Sequence, residues 1–320
     1  MSALISWLTQ TLEVLAAIAV APLFSGWIAQ CRAWLQNKSA PSIWLPYRAI
    51  HKLFHKEAVL AESASPLFRF APYAVFGSMV CAAAIIPSMG TRLPFSSAAD
   101  AIALVGLLAT ARVFVALAAM DVGTAFGTLG ARREMMVGFL AEPALLMVIF
   151  VASLLSSSTA LPAISNALAT QPFALYPSLA FTAVAFILVL LAENARIPVD
   201  NPATHLELTM IHEAMLLEYS ARHLALMEWA AALKLFNYAC IGFALFVPWG
   251  VATAEAQTPA ALVVSLPILA AKLAAAGVGL ALIETVSAKL RVFRAPEFLA
   301  TAFMLAVLGL LVNLLQRASP

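Results

Sequence analysis

The chain has 320 residues, of which 63% are hydrophobic and only 11% are charged, with a formal net charge of +2. Soluble domains carry about a quarter charged residues, so this composition excludes a soluble protein and indicates an integral membrane protein. The near balance of basic and acidic residues creates no strong field that would attract nucleic acid, and nucleic-acid binding is therefore excluded.

Apolar segments long enough to cross a bilayer recur along the chain, since a spanning helix needs about 20 predominantly apolar residues. The first is interpreted as a retained span and not as a signal peptide, because residues 1–13 contain no Lys or Arg and Pro22 would follow the cleavage site. We expect residues 1–320 to form a single all-α, polytopic membrane domain of about eight spans. The predicted spans are residues 4–28, 72–89, 101–120, 136–155, 176–194, 231–251, 262–283 and 298–315.

Basic residues are concentrated in the odd-numbered loops, which the positive-inside rule places in the cytoplasm. Loops one and five, residues 29–71 and 195–230, are the longest and are interpreted as a docking platform for a soluble partner. The even-numbered loops and the two tails contain only two basic residues, Arg92 and Arg317. Both termini are therefore predicted to face the outside. The basic residues of the odd-numbered loops are Arg32, Lys38, Arg48, Lys52, Lys56, Arg69, Arg132, Arg133, Arg196, Arg222, Lys289, Arg291 and Arg294.

Several charged residues fall within the predicted spans or at their ends. A charge at the bilayer centre costs about 2.5–3.5 kcal/mol on insertion scales, so each of these residues should face protein or a water-filled cavity. They are functional candidates for that reason, with the alternative that Arg112 only pairs with Asp121. The residues are Arg112, Asp121, Glu142, Lys234, Lys272 and Glu284.

Acidic residues are densest around loop five, and closely spaced carboxylates in a low dielectric raise one another's pKa values, so that some exchange protons near neutral pH. A predicted amphipathic helix over residues 203–219 would place Glu207 and Glu218 on one face, because they are about three turns apart. The alternative is that these acids only form salt bridges with nearby basic residues or are solvated. The acids are Glu193, Asp200, Glu207, Glu213, Glu218 and Glu228.

The remaining motifs give no support for catalysis or metal binding in this chain. The three cysteines are far apart and form no CxxC pair, so any redox centre is expected on a partner. His205 and His212 are seven residues apart, whereas helical zinc ligands are typically four apart. The glycines of residues 123–130 are not followed by the Lys-Ser/Thr of a phosphate-binding loop, and no nucleophile elbow occurs. No metal, cofactor or covalent catalysis is predicted here.

Loop five carries a long match to a known family. The stretch AENARIPVDNP at residues 192–202, continued by THLELT and EYS, resembles the signature of the complex I family of NADH dehydrogenase subunit 1 proteins. The longer run IPVDNPATHLELTMIHEAMLLEYS is similar to the hydrogenase branch of that family, formate hydrogenlyase subunit 4 and its relatives in membrane-bound group 4 [NiFe] hydrogenases. Supporting stretches are KLFHKE at 52–57, REMM leading to AEP at 133–143, and ET, KLR and PEF between 284 and 298.

Departures from the family pattern help to choose the branch. Ala203 and His205 stand where quinone-reducing members tend to carry acids, which favours the hydrogenase branch and argues against a quinone site. Ala49 replaces an acid expected before the Lys-Leu pair of loop one, and this weakens a proton-binding role for that loop. Ala221 replaces the usual glycine after EYS.

The resemblance implies a membrane-arm subunit of a complex I-like hydrogenase in the bacterial or archaeal cytoplasmic membrane. It would dock the hydrogenase large and small subunits and a ferredoxin-like iron–sulfur subunit, and these partners would contain the [NiFe] centre and the clusters. It would link their electron transfer to ion translocation through antiporter-like subunits. The implied proton pathway comprises Glu142, Glu193, Asp200, Glu207, Glu213, Glu218, Lys234 and Lys272, supported by Arg112, Asp121, Arg196, Arg222 and Glu284.

Two alternatives remain open from the sequence. In the first, the chain is a purely structural anchor, whose carboxylates only position the hydrogenase. In the second, it is the quinone-site subunit of an NADH:quinone oxidoreductase. Loss of assembly in variants would indicate the anchor, and quinone-dependent activity would indicate the oxidoreductase.

Overall fold

The structure is a computed structural model that describes residues 2–97, 100–170, 177–200, 210–253, 258–288, 290 and 294–318. These residues are predominantly α-helical, with a 3-10 turn at Pro94–Ser97 and an isolated bridge between Gly90 and Ala252. The α-helices are α1 (Ser2–Leu35), α2 (Leu45–Phe54), α3 (Pro66–Ile85), α4 (Ala101–Asp121), α5 (Ala125–Ser156), α6 (Leu161–Thr170), α7 (Pro177–Glu193), α8 (His212–Leu216), α9 (Ala221–Phe246), α10 (Pro259–Val286) and α11 (Ala295–Ala318).

Eight of the eleven described α-helices correspond to the eight predicted spans, and α2, α6 and α8 lie in the connections between them. Seven of them, α1, α3, α4, α5, α9, α10 and α11, contain segments long and apolar enough to cross a membrane. The eighth, α7, has 17 residues and is shorter. At 1.5 Å per residue it extends for about 26 Å, slightly less than the hydrocarbon core of a bilayer. The prediction of an all-α, polytopic membrane fold is confirmed.

Several helices continue well beyond their apolar segments. Helix α5 begins at Ala125, about three turns before the predicted span, because Thr124 caps it by accepting a hydrogen bond from the Gly127 N–H. Helix α9 likewise begins at Ala221, so it takes up residues that the sequence analysis assigned to loop five. Hydropathy locates the membrane-embedded part of a helix, whereas capping and backbone hydrogen bonding decide where the helix ends.

The helix predicted over residues 203–219 is not continuous in the part that the structure describes. Residues 201–209 lie outside the described residues, Met210 is not helical, and α8 covers only His212–Leu216. Asp200 Oδ2 accepts hydrogen bonds from the backbone N–H groups of Ile211 and His212, both at 3.3 Å. The start of α8 is therefore fixed by a side chain from outside the predicted helix.

Helix packing brings distant parts of the chain together. Helices α5, α7 and α11 pack against one another, α4 lies between α3 and α5, and α9 packs on α1 and α3. Small residues allow close approach between spans, where lipid supplies no hydrophobic driving force. At Gly309 of α11, an added Cβ atom would lie 2.7 Å from Thr182 Cγ2 and 2.9 Å from the Ser178 carbonyl oxygen of α7.

The even-numbered and odd-numbered connections lie at opposite ends of the bundle. At one end the Thr91 N–H donates to the Ala252 carbonyl at 3.0 Å, which joins the α3–α4 and α9–α10 connections. At the other end Ser220 Oγ accepts from the Val59 N–H at 2.9 Å, which joins the α2–α3 and α8–α9 connections. This second end, which contains the long loops one and five, is called the loop end below.

Candidate functional site

Arg112 lies at the centre of a buried group of charges, named here the Arg112 cluster, which also contains Glu134, Glu142, Glu193 and Lys234. The guanidinium donates hydrogen bonds to Glu142 and Glu193. Its Nε lies 3.5 Å from Glu134 Oε1, and Lys234 Nζ lies 3.0 Å from Glu193 Oε2. The cluster therefore connects four helices, α4, α5, α7 and α9.

The charges of the cluster tolerate burial because they are paired. Arg112 and Glu193 are only 5% and 4% exposed, and an isolated ion at such a position would be strongly disfavoured. The three carboxylates outnumber the two cations by one. Glu142, whose side chain is 35% exposed, is the most open of the acids. The cluster therefore carries one formal negative charge more than its cations balance, held between four helices.

Glu284 of α10 forms a second buried ion-pair group near the loop end. Its Oε1 lies 3.0 Å from Arg196 Nη1, and its Oε2 lies 3.3 Å from Arg32 Nη1. Arg196 follows Glu193 through a turn at Ala195, which has a φ of 48°. The same short segment therefore supplies one residue to each charge group, and it also ties α7 to α10 and α1.

A chamber of about 610 Å³ opens beside both charge groups. Its apolar wall comes from α2, α3, α4 and α9, and includes Ile50, Met79, Leu108 and Leu235. Its volume falls within the range typical of small-molecule sites. The polar side chains that line it are Ser25, Arg32, Arg112, Glu134, Glu193, Asn194, Arg196, Asp200, His212, Glu213, Tyr219, Glu228 and Lys234.

Tyr219 fixes part of the loop end of this chamber. Its hydroxyl donates to the Phe68 carbonyl at 3.0 Å, and its ring stacks on Phe68 at a centroid distance of 4.0 Å. Burial, assisted by the negative charge of Asp121, raises the pKa of Tyr219. The phenol therefore remains protonated and keeps this hydrogen bond as a donor.

The acids of loop five occupy different environments. Asp200 is 2% exposed, lines the chamber and accepts the α8 hydrogen bonds described above. Glu213 is half-buried and also lines the chamber. Glu218 is half-buried but is not among the lining residues, and Glu207 lies outside the described residues. Asp200 and Glu213 thus share one chamber with Glu193.

Three other predicted residues lie apart from the Arg112 cluster. The alternative in which Arg112 only pairs with Asp121 is wrong, because Arg112 contacts glutamates of α5 and α7. Asp121 instead accepts from the Ser65 N–H at 2.8 Å before α3. Arg222 is exposed and forms no ion pair within the ranges that the structure describes. Lys272 donates to the Val247 carbonyl at 2.6 Å, at the C-terminal end of α9 and about three turns along that helix from Lys234.

Two buried acids were not among the predicted site residues. Glu134 belongs to the cluster, and its spacing of two turns from Glu142 on α5 is a signal that could have identified it. Glu13 of α1 is 1% exposed, and its Oε1 accepts from the Met89 and Gly90 N–H groups at 2.7 and 2.8 Å. An acid in the middle of the first predicted span is itself such a signal.

A metal site is not formed by the described part of the chain, where no group of three or more His, Cys, Asp or Glu side chains is suitably arranged. Cys31 and Cys240 are buried and Cys81 is exposed, and all three are free thiols.

Comparison with known proteins agrees with the resemblance seen in loop five. The chain is 37% identical to hydrogenase-4 component C of Escherichia coli (strain K12) over 254 residues, which cover 78% of each protein. It is 32% identical to formate hydrogenlyase subunit 4 of the same organism over 298 residues, which cover 93% of this chain and 95% of the relative.

The fold is also similar to that of a solved chain from the membrane-bound sulfane sulfur reductase, an archaeal respiratory membrane complex. The TM-score is 0.84 at 19% sequence identity, and the match covers 96% of this chain and 99% of that one. The sequence model of the NADH dehydrogenase family matches residues 9–315. On this nearly complete match, the chain belongs to the NADH dehydrogenase family.

Proposed function

We propose that the chain is a membrane-arm subunit of a complex I-like membrane-bound [NiFe] hydrogenase, which docks the hydrophilic redox subunits and couples their electron transfer to proton translocation. The observation that carries this proposal is the Arg112 cluster, a buried ionisable group that joins four helices beside a chamber at the loop end. The relatives of 37% and 32% identity are, by name, components of hydrogenase-4 and formate hydrogenlyase.

The coupling step relies on electrostatics in a medium of low dielectric. A change of charge in a docked redox subunit would change the electrostatic potential at Asp200, Glu213 and Glu193, because these residues line one chamber. Such an effect is stronger in the protein interior than in water. Glu193 shares the guanidinium of Arg112 with Glu142, so a change in the protonation of one carboxylate alters the stability of the ionised form of the other.

The other predicted residues have supporting roles in this proposal. Glu284, Arg196 and Arg32 hold the segment after α7 in place through charge-assisted hydrogen bonds. Asp121 orients the entry to α3, and Lys272 would act at the C-terminal end of α9. Glu207 and Glu218 would add negative charge to loop five, and Arg222 would add a positive charge at the start of α9.

The proposed partners are the hydrogenase large and small subunits, a ferredoxin-like iron–sulfur subunit and antiporter-like membrane subunits. The [NiFe] centre and the clusters would reside in these partners. The chain would lie in a bacterial or archaeal cytoplasmic membrane with both termini outside, so that loops one and five meet the redox subunits. The concentration of basic residues in the odd-numbered loops supports this orientation.

The test is a mild-detergent purification of the tagged chain, followed by mass spectrometry, metal analysis and a hydrogen-evolution assay on the same eluate. We expect hydrogenase subunits, nickel and iron to co-purify with hydrogen-evolving activity. Flavin-containing, NADH-oxidising partners would contradict the proposal and would assign the chain to an NADH:quinone oxidoreductase.

A quinone-reducing role is the second candidate, because the chamber has the volume and the apolar wall of a small-molecule site. Its discriminating measurement is quinone reduction by the purified complex. Activity that depends on added quinone would favour this candidate, whereas hydrogen evolution without quinone favours the hydrogenase.

A further inference from the structure

Arg112 crosses α5 at a glycine. Gly138 lies four residues from Glu134 on one side and four residues from Glu142 on the other, so the three positions form one stripe along the helix. A Cβ atom added at Gly138 would collide with Arg112 Nη1 and would lie 2.7 Å from Arg112 Cδ. The missing side chain of Gly138 therefore creates the space that the guanidinium occupies.

The two ends of the stripe hold Arg112 in different ways. Glu142 accepts a hydrogen bond from Nη1. Glu134 lies 3.5 Å from Nε, which is too long for a good hydrogen bond, so its contribution is Coulombic. With Nη1 directed to α5, Nη2 donates to Glu193 of α7. The orientation of the Arg112 guanidinium against α5 therefore determines whether it bridges Glu142 and Glu193.

We propose that Glu134 and Gly138 are positioning residues for the proton relay, and that they hold Arg112 so that its guanidinium bridges Glu142 and Glu193. The inference rests on the proposed coupling function. Neither residue carries the proton. Gly138 provides the space and Glu134 provides the charge that keeps the guanidinium aligned along α5.

The bridge requires the planar fork of arginine. A guanidinium directs several N–H groups along fixed directions and can serve two carboxylates on different helices, whereas the lysine ammonium is a compact point charge. Arg112→Lys keeps the positive charge and is expected to lose the bridge. This variant therefore separates the geometry of Arg112 from its charge.

The test is a double-mutant cycle on the intact complex in inverted membrane vesicles. Hydrogen evolution is driven by reduced methyl viologen and measured by gas chromatography, and proton uptake is followed by the quenching of an acridine dye. Gly138→Ala and Arg112→Lys should each lower the protons taken up per hydrogen evolved about tenfold, since small displacements of reacting groups have effects of that order or larger. The double variant should be no worse than either single one, because both act through the same guanidinium.

Glu134→Gln provides a second test that preserves side-chain shape. It should lower the protons taken up per hydrogen evolved in the wild-type background and should not change this ratio in the Arg112→Lys background. Gly106→Ala on α4 is the matched control, since an added Cβ atom there would meet no atom within 4 Å, and it should retain the wild-type ratio. The amount of assembled complex is measured for every variant, so that the ratio is compared only among complexes that form.

The positioning role would be overturned if the double variants lowered the protons taken up per hydrogen evolved by the product of the two single effects. A wild-type value of this ratio in Gly138→Ala would also overturn it. Failure of the coupling function itself would appear elsewhere, as hydrogen evolution without proton uptake in the wild-type vesicles. The two failures are therefore distinguished by which sample shows them.

Discussion

At the scale of single residues, Glu193 has the most consequential position in the chain. It is the last residue of α7, it is nearly fully buried, and it contacts the cations of two other helices, Arg112 and Lys234. Because paired charges stabilise one another in the interior, removing the charge of Glu193 takes away the carboxylate that Lys234 contacts and leaves the cluster with two carboxylates and two cations. Its substitution therefore separates a coupling role from an anchoring role.

We expect Glu193→Gln to assemble into the complex at near wild-type yield and to lose proton uptake about tenfold or more, because the amide retains the shape but cannot exchange the proton. The measurement is the ratio of proton uptake to hydrogen evolution in inverted vesicles, with the yield of purified complex as the assembly readout. Glu57→Gln, at an exposed position of the loop after α2, is the control. Loss of assembly with an unchanged ratio in the remaining complex would instead support the structural anchor.

At the scale of helices, much of the architecture could be predicted from the sequence, because a bilayer demands long apolar segments and each segment is a local property of the chain. The contacts of Arg112 could not be predicted in the same way. They depend on the rotation and depth of α4 relative to α5 and α7, which hydropathy does not encode. The pairing with Asp121 was the nearest option along the chain, but the packed helices bring Glu134, Glu142 and Glu193 closer.

The loop acids illustrate a second limit of sequence reasoning. The spacing of Glu207 and Glu218 suggested a shared helical face, yet α8 covers only His212–Leu216 within the described part of the segment. Asp200 competes with a continuous helix by accepting backbone hydrogen bonds at the start of α8. Such a tertiary cap has no signature in helical periodicity.

Helix α1 organises the end of the bundle opposite the loop end through Glu13. Its Oε1 accepts from the Met89 and Gly90 N–H groups, and the Met89 carbonyl in turn accepts from the Ala252 N–H at 2.8 Å. We expect Glu13→Gln to lose less stability than Glu13→Leu, because the amide oxygen can accept the same hydrogen bonds. Glu13→Leu should cost about 1–3 kcal/mol for each backbone N–H left without a partner.

The measurement for Glu13 is thermal unfolding of the purified chain in detergent. Glu62→Leu, at an exposed position near the start of α3, is the control for the loss of an acid. Equal melting temperatures for Glu13→Gln and Glu13→Leu would show that these hydrogen bonds do not stabilise the connection between the helices.

At the scale of the whole molecule, the two ends of the helix bundle differ in the features that they contain. The Glu284 pairs, the chamber and the long loops lie toward one end, and the Glu13 contacts lie toward the other. On the positive-inside rule, we propose that the loop end faces the cytoplasm, where a soluble redox partner would dock. A reversed orientation would put the chamber on the wrong side of the membrane for that partner.

This orientation can be tested with single cysteines and a membrane-impermeant maleimide. In a background with Cys31, Cys81 and Cys240 replaced by alanine, which removes the native thiols that denaturation would also expose, Thr159→Cys should be labelled in intact cells because residue 159 is exposed in the connection after α5. Glu57→Cys should be labelled only after the membranes are dissolved in a denaturing detergent, which also removes any bound partner. Labelling of Glu57→Cys but not of Thr159→Cys in intact cells would reverse the topology. It would also contradict docking of a cytoplasmic redox partner at the chamber, because the Glu284 pairs and the acids of loop five would then face the outside.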